Sequence, residues 1–481
     1  MKQPAGALLP NLEGPFPAGS PLHLQIYLRI RGAVLGGMLP PGSRLPSTRT
    51  LAADLGISRN TAEEAFSQLE AEGYLVRRVG AGSYVALPDS PARPARQAPP
   101  PSRGARSLSI RGRTIAAAGV CAEPTVPRPF AAGLPALEAF PLETWSRLVA
   151  RRLRRSGRGL LGYGDPAGYG PLREAVAAYL GTARGVTCSP RQVIVLTSSQ
   201  QALDLAARLL VDPGDEAWLE EPGYLGARSA LTAAGARIVP VPVDENGLDV
   251  ARGEALAPGA RLVYVTPSHQ YPLGVTLSLE RRLALLAWAG RAGSWIVEDD
   301  YDSELRYTGR PLAAIQGLDS GGRVLYVGTF TKALFPGLRL AYLVAPEDLV
   351  DAFVHARTLM DGHTPTLLQA VLADFLAEGH FGAHVRRMRA LYHERRDALV
   401  EAAEGRAVLG PVEAGFHATL HLPEGTDDQE VARRAAQRGV EVQPLSTFYL
   451  GKAVTPGLVL GFAGISPEAI REGMKILGEV L

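Results

Sequence analysis

The 481-residue chain exceeds one typical domain, so two or three are expected, and a hydrophobic content of 46% is ample for a large core. Its formal net charge of +2 supplies no global attraction to nucleic acid, and its two cysteines fit neither a disulfide framework nor a zinc site. No charged-then-apolar leader heads the sequence and no apolar run reaches the ~18 residues of a membrane span, which leaves a soluble, cytoplasmic protein as the expectation.

Residues 1–20 are dominated by Pro, Gly and Ala and read as a mobile tail. Residues 21–87 carry a more definite pattern. Leu24, Tyr27, Leu28, Val34 and Leu35 predict a helix over Leu22 to Leu35, which Pro40, Pro41 and Gly42 end. Ser47 caps a second helix through Leu51, Ala52 and Leu55. Gly56 makes a tight turn, and Ser58 caps a third helix, Arg59 to Glu72, with Ala62, Ala65, Phe66 and Leu69 on one face. Tyr74 to Arg78 and Ser83 to Ala86 read as a hairpin around Val79 to Gly82. Three short helices and a hairpin describe a winged helix-turn-helix, whose third helix would enter the major groove by its N-terminal end. That end offers Ser58, Arg59, Asn60 and Thr61; Arg can read guanine and Asn adenine. The same pattern also describes a three-helix packing module with a charged face.

Residues 88–125 read as a linker. Pro91 to Arg113 holds six arginines, five prolines and no acid, without apolar periodicity. Such a stretch is semi-extended, flexible and cationic. It serves as a charged spacer or as a nonspecific DNA contact.

From residue 126 to 481, apolar strand-like runs alternate with helical stretches. The runs are Gln192 to Leu196, Glu216 to Leu219, Arg261 to Val265, Trp295 to Val297, Val324 to Val327 and Leu340 to Val344. This predicts an α/β region with a mainly parallel sheet, in which ligands bind beyond the carboxyl ends of strands. The chemically informative residues do follow strands. Ser198, Ser199 and Gln200 follow one and open a helix, which suits a phosphate. Glu298-Asp-Asp-Tyr-Asp302 follows another; alone, this acidic run reads as a metal site or a solvated turn. Gly328-Thr-Phe-Thr-Lys-Ala-Leu-Phe-Pro-Gly-Leu-Arg339 follows a third.

Lys332 in that stretch is one of only four lysines among 50 basic residues, with Lys2, Lys452 and Lys475. Arginine serves for salt bridges and phosphate contacts but cannot form a Schiff base, because its nitrogens are delocalised and stay protonated. Lysine can. A lysine kept beside Thr329, Thr331 and Arg339 points to aldehyde chemistry with a phosphate nearby, and pyridoxal phosphate (PLP) has both groups. Beside a pyridine ring, one carboxylate of the acidic run has a task, holding the ring nitrogen protonated. The alternative is an ordinary surface lysine after a strand.

Two resemblances sharpen these readings. The core P-G-x-x-L-P-S-x-R-x-L-A, the S-R-x-T start of the third helix and the G-x-G-S-x-V wing closely resemble the GntR-type winged-helix domain. The resemblance implies DNA contacts by Arg49, Arg59 and Thr61, with Ser58 and Asn60 in the same helix start. It implies minor-groove contact by the wing from Gly80 to Gly82 and a phosphate contact by Arg44. Glu63 and Glu64 stand where other members carry a basic residue. Residues from about 130 to 481 resemble a fold-type I aminotransferase domain, with the small subdomain mainly from about 385 on. That resemblance implies Lys332 as the Schiff-base lysine, Asp299 on the pyridine nitrogen, Tyr301 on the ring's phenolic oxygen and Tyr224 stacked on the ring. Ser199, Gln200, Thr329, Thr331 and Arg339 would hold the phosphate, and Tyr163 would reach the phosphate of a partner subunit. A GntR reader joined to such a domain by a long linker resembles the MocR family of bacterial transcription regulators, of which T-P-S-H-Q-Y-P and E-D-D-Y-D-S-E are also typical.

Two departures from enzymes of the fold bear on function. Asn-Pro-x-Gly is replaced by Tyr271-Pro-Leu-Gly274, which removes the Asn that bonds the cofactor oxygen and leaves His269 or Gln270 as substitutes. The arginine that grips a substrate carboxylate is replaced by Val459. The expectation is therefore a homodimeric, domain-swapped, head-to-tail regulator of the PdxR subgroup, binding double-stranded DNA and using PLP as its signal for vitamin B6 genes. Its aminotransferase-like domain would bind an effector rather than turn substrate over, and no metal is expected. The alternatives are a regulator that senses an amine or amino acid as its PLP adduct, and a working aminotransferase.

Overall fold

The structure, a computed structural model, describes residues 19–86, 108–117, 126–155, 157–307, 313–405 and 407–481. The expected tail up to residue 18 and linker residues 88–107 and 118–125 lie outside the described residues. The chain divides into two compact units, Met1–Ser107 and Leu108–Leu481.

In the first unit the helices are Leu22–Leu35, Thr48–Leu55 and Arg59–Ala71, followed by β1 (Leu75–Arg78) and β2 (Gly82–Val85). Their ends are chemically marked. Ser47 Oγ accepts from Thr50 N at 3.1 Å and Ser58 Oγ from Thr61 N at 3.1 Å, satisfying backbone donors that each first turn leaves open. Gly56, at φ +65°, ends the second helix in the left-handed conformation that the tight turn needs. Ile26, Ile30, Leu51, Phe66 and Leu69 meet in one core, with Leu75 and Val85 closing it from the hairpin. The edge of the hairpin is extended by Ser43 to Leu45, where Leu45 N donates to Ser83 O and Val85 N to Ser43 O, each at 2.9 Å.

The second unit begins with a helix, Ile110–Ala117, inside the stretch expected to be extended linker. The correction has a local cause. No proline stands between Pro101 and Pro124, and Ser109 Oγ accepts from Gly112 N at 2.9 Å, a cap the linker reading overlooked.

The sheet that follows has strands β3 (Val193–Leu196), β4 (Glu216–Glu221), β5 (Arg237–Asp244), β6 (Gly247–Leu248), β7 (Leu262–Val265), β8 (Trp295–Asp300), β9 (Val324–Thr329) and β10 (Ala341–Val344). Their order is β3-β10-β9-β8-β7-β4-β5-β6. From β5 through β4, β7 and β8 to β9 the pairing is parallel; β10 runs against both of its neighbours, so β3 points the same way as β9. Side-chain alternation splits the core. Leu196, Leu219, Leu262, Val297 and Val327 pack on the helices Ser199–Leu210, Leu225–Ala234 and Val350–Asp361. Val195, Tyr326 and Tyr342 face Leu142–Arg155, Gly170–Arg184 and Thr366–Ala377. Trp218 stacks on Trp288 at 3.8 Å under the rest of that face.

β5 is absent from the strands expected above because Pro240 and Pro242 interrupt it. It forms because Val239 and Val241 are buried while both prolines face outward, and only Val243 and Asp244 pair with the short β6. A proline without an N–H is tolerated near a sheet edge.

A smaller four-stranded sheet, β11 (Val408–Leu409), β12 (His417–His421), β13 (Gln443–Pro444) and β14 (Gly457–Gly461), is antiparallel, in order β11-β12-β14-β13. The helices Asp428–Gln437 and Pro467–Val480 cover it. Phe130, from the start of the region, is also buried in this core and bridges to Gly461. No helix among the described residues is long and apolar enough to cross a membrane.

Candidate functional site

Beyond the carboxyl ends of β3, β4, β7, β8 and β9 lies a cavity of about 360 Å³, closed on its other side by residues of the smaller sheet. Eight of the ten residues expected to hold PLP line it: Lys332, Asp299, Tyr301, Tyr224, Ser199, Thr329, Thr331 and Arg339. The two others lie elsewhere. Gln200 is not among the lining residues; its side-chain amide donates to Gly226 O at 2.9 Å, bracing the helix that follows Tyr224. Tyr163, expected on a partner subunit's phosphate, is fully exposed, edge-on to the His363 ring, and is not among the lining residues.

Lys332 stands in the short helix Phe330–Ala333 directly after β9, and its Nζ donates to Gly133 O at 3.2 Å. Gly133 has φ +97°, a backbone conformation that favours glycine, and a Cβ there would lie 3.1 Å from Nζ. Asp299 lies in β8. Its Oδ2 accepts from Tyr264 at 2.9 Å, while its Oδ1 is buried without a partner. Burial pushes the Asp299 carboxyl up to about 7, against the opposing effect of the Tyr264 hydrogen bond. A cationic ring nitrogen at Oδ1 would supply the missing counter-charge. The Tyr301 hydroxyl donates to His269 O at 2.9 Å, and burial, then Asp302, pushes this phenol well above its ordinary value, so it stays a neutral donor.

The cavity also carries anion chemistry. The helix Ser199–Leu210 opens on it, with Ser198 Oγ accepting from Gln201 N at 3.2 Å. Thr329 Oγ1 accepts from Thr331 N at 3.1 Å, and Thr331 Oγ1 is buried without a partner. Arg339 is exposed at the rim, at φ +49°. An amine, a buried carboxylate oxygen lacking a partner, an aromatic wall at Tyr224 and an anion cradle fit the aldehyde, ring nitrogen, ring face and phosphate of PLP.

The acidic run resolves residue by residue. Glu298 accepts from the backbone N–H groups of Ile315 and Gln316, each at 2.9 Å. Asp300 pairs with Arg184 at 2.7 Å, and Glu304 accepts from Tyr179 at 2.9 Å. Asp302 bonds His269 Nδ1 at 2.8 Å. Asp299 alone among these carboxylates lines the cavity. His269, Asp302 and the buried His417 bring one ligand-type atom each within 4.8 Å of one another.

The substitutes suggested for the missing Asn do not line the cavity: His269 is tied to Asp302, and the Gln270 amide donates to Pro222 O and Tyr271 O, each at 2.8 Å. Tyr271 itself lines the cavity. Val459 is fully buried beside Leu445, Phe448 and Tyr449, an apolar setting with no place for a carboxylate. Sequence reasoning missed Tyr264, Phe416, His417, Gln443 and Thr447 as lining residues. Only Tyr264 had a readable signal, the penultimate position of an apolar strand.

In the first unit, Arg44, Arg49, Ser58, Arg59, Asn60, Gly80 and Gly82 are exposed, and Thr61 is half-buried. The Ser58 and Thr61 hydroxyls bond each other at 2.8 Å, leaving Arg59 and Asn60 as the outward groups at the helix start. Arg44 lies against the wing: a Cβ on Gly82, at φ +110°, would come within 3.3 Å of its Nε. Glu63 and Glu70 both hold Arg77 of β1, and Glu64 pairs with His23 at 3.4 Å, so these acids brace the domain internally.

Comparison with known proteins agrees with both units. Residues 22–85 match the bacterial regulatory proteins of the gntR family, and residues 130–477 match aminotransferase class I and II. The chain is 44% identical over 467 residues to the probable rhizopine catabolism regulatory protein MocR of Rhizobium meliloti, covering 96% of this chain and 94% of that one. It is 32% identical over 460 residues to the pyridoxine biosynthesis transcriptional regulator PdxR of Corynebacterium glutamicum, covering 93% of each. Among solved structures, it resembles LysN, the α-aminoadipate aminotransferase of Thermus thermophilus, complexed with N-(5'-phosphopyridoxyl)-L-leucine, at a TM-score of 0.68 and 34% identity, over 73% of this chain and 91% of that one. With a GntR reader ahead of an aminotransferase class I and II domain, and similarity to such regulators along nearly its whole length, the chain belongs to the MocR family of transcriptional regulators.

Proposed function

We propose that the second unit binds PLP through Lys332 and that this binding sets how the first unit engages DNA. The observation that carries the reading is the unpartnered, buried Oδ1 of Asp299, a residue that lines the same cavity as Lys332. PLP would supply an aldehyde for a Schiff base. Lys332 would hold it, Asp299 would keep the ring nitrogen protonated, Tyr301 would donate to the phenolic oxygen and Tyr224 would cover one face. Ser199, Thr329, Thr331 and Arg339 would take the phosphate. The assembly is a homodimer, in which the exposed Tyr163 serves the site of a second copy, and it works in the cytoplasm, where the DNA is.

The finer reading is of the PdxR type, with PLP itself as the signal and vitamin B6 genes as the target. Among the described lining residues the cations are Lys332 and Arg339, and both have a task on PLP. Burying an α-carboxylate beside Val459 would forgo a charge-assisted bond worth about 1.5–3 kcal/mol. This supports effector binding over turnover. A second reading, an amine sensed together with PLP, is favoured by the 44% identity to a regulator named for rhizopine catabolism, against 32% to PdxR. DNA binding by the apo protein, measured against PLP with and without a panel of amines and amino acids, separates them. Dependence on PLP alone supports the first, and a response that needs one amine supports the second. Sustained keto-acid production defeats both in favour of an enzyme.

The DNA-facing roles are separable too. Arg59→Ala is expected to cost about 1–3 kcal/mol on the preferred site and to relax its sequence preference. Arg44→Ala, a phosphate contact, should weaken all sequences alike and flatten the salt dependence. Binding isotherms on specific and scrambled duplexes at several salt concentrations check the division. Equal loss of specificity from both substitutions counts against it.

A further inference from the structure

We propose that Tyr271 is a fixed partition in the cavity that decides which amines reach Lys332; this specificity role rests on the PLP reading above. The Tyr271 ring lies between two groups of rings. On the large-domain side its centroid is 5.9 Å from Tyr224 and 6.2 Å from Tyr301. On the small-subdomain side it is 4.9 Å from His417 and 5.4 Å from Phe448. All four contacts are edge-on, the arrangement aromatic quadrupoles favour. The Tyr271 hydroxyl donates to Gln443 Oε1 at 3.0 Å, so the side chain spans the cavity from one subdomain to the other.

The backbone beneath the ring is held as firmly. Tyr271 N donates to Thr266 Oγ1 at 3.1 Å, and the Gln270 amide bonds Tyr271 O at 2.8 Å and Leu273 N at 3.0 Å. Pro272 O accepts from the Thr419 hydroxyl at 2.6 Å and from His417 Nε2 at 3.2 Å, both on β12 of the small subdomain. A turn pinned to both subdomains does not swing aside as a lid does. The ring is a wall, and it stands next to Tyr224, where the substituents of an incoming amine need room. A group added to or taken from an enclosed pocket changes discrimination by about 10- to 200-fold.

The test uses the full-length, PLP-loaded protein as wild type, Tyr271→Phe and Tyr271→Ala. Each is titrated with amino acids and primary amines while the visible PLP absorbance is followed. PLP affinity of the apo form and thermal unfolding are measured in parallel. Tyr271→Phe keeps the ring and should resemble the wild type. Tyr271→Ala removes the wall and should show half-saturating amine concentrations at least ~10-fold lower. A folded, PLP-loaded Tyr271→Ala with the same amine response as the wild type overturns the partition and leaves the PLP reading standing. So does a Tyr271→Phe that responds like Tyr271→Ala, since the hydroxyl and not the ring would then be decisive. A wild type that takes up no PLP overturns both.

Discussion

Lys332→Ala is expected to abolish the visible absorbance of the PLP-loaded protein while leaving the effector domain folded. A Schiff base needs an uncharged amine at the aldehyde, and alanine offers none. No other described lysine can take over: Lys452 and Lys475 are exposed and neither lines the cavity. The substitution is structurally mild, because Lys332 is only half-buried and its amine donates to a backbone carbonyl, Gly133 O. Residual PLP would be held by the phosphate cradle without covalent attachment, so it should wash out on gel filtration. Absorbance spectra before and after desalting, with thermal unfolding of the same samples, make the measurement. An unchanged band in a folded Lys332→Ala protein sinks the assignment.

Arg184→Ala should give the largest loss of stability among the buried polar groups near the site. Arg184 ends the helix Gly170–Arg184, 4% exposed, with its Nε 2.7 Å from Asp300 Oδ2 and an NH2 group 2.7 Å from Ser268 Oγ. Removing it leaves Asp300 with the Tyr326 hydroxyl as its remaining hydrogen-bond donor in that pair of contacts. Breaking one side of a buried pair costs about 3–5 kcal/mol, more than replacing both sides by apolar groups. Asp300 neighbours Asp299 on β8, so local rearrangement should also weaken PLP uptake. Urea unfolding of the wild type, Arg184→Ala and the Arg184→Met/Asp300→Leu double variant tests this. The double variant should recover much of the loss; if the single variant unfolds like the wild type, the pair is not a determinant of the fold.

The legible parts of this protein were those governed by residues close in sequence. Ser47, Ser58 and Gly56 mark helix ends because a cap is a bond over three residues, and the pattern of the winged helix follows from such bonds. Lys332 stood out because a chain otherwise built on arginine keeps an amine where a strand turns into a short helix. Six strands of the larger sheet could be read as apolar runs, and β5 could not, because its prolines are permitted only by its place near the edge.

What tertiary structure decided was the allocation of side chains that chemistry alone makes equivalent. Nothing local distinguishes Asp299 from Asp300; strand alternation sends one to the cavity and the other to Arg184, 116 residues earlier. His417, Gln443 and Phe448 reach the cavity only because the smaller sheet closes over the carboxyl ends of the larger one, bringing them against Tyr271. Composition and spacing therefore determined the chemistry available to this protein, since bonding capacity belongs to each residue type. The cavity's selectivity was decided by long-range packing, since a side chain's neighbours depend on which distant segment its strand is paired and covered by.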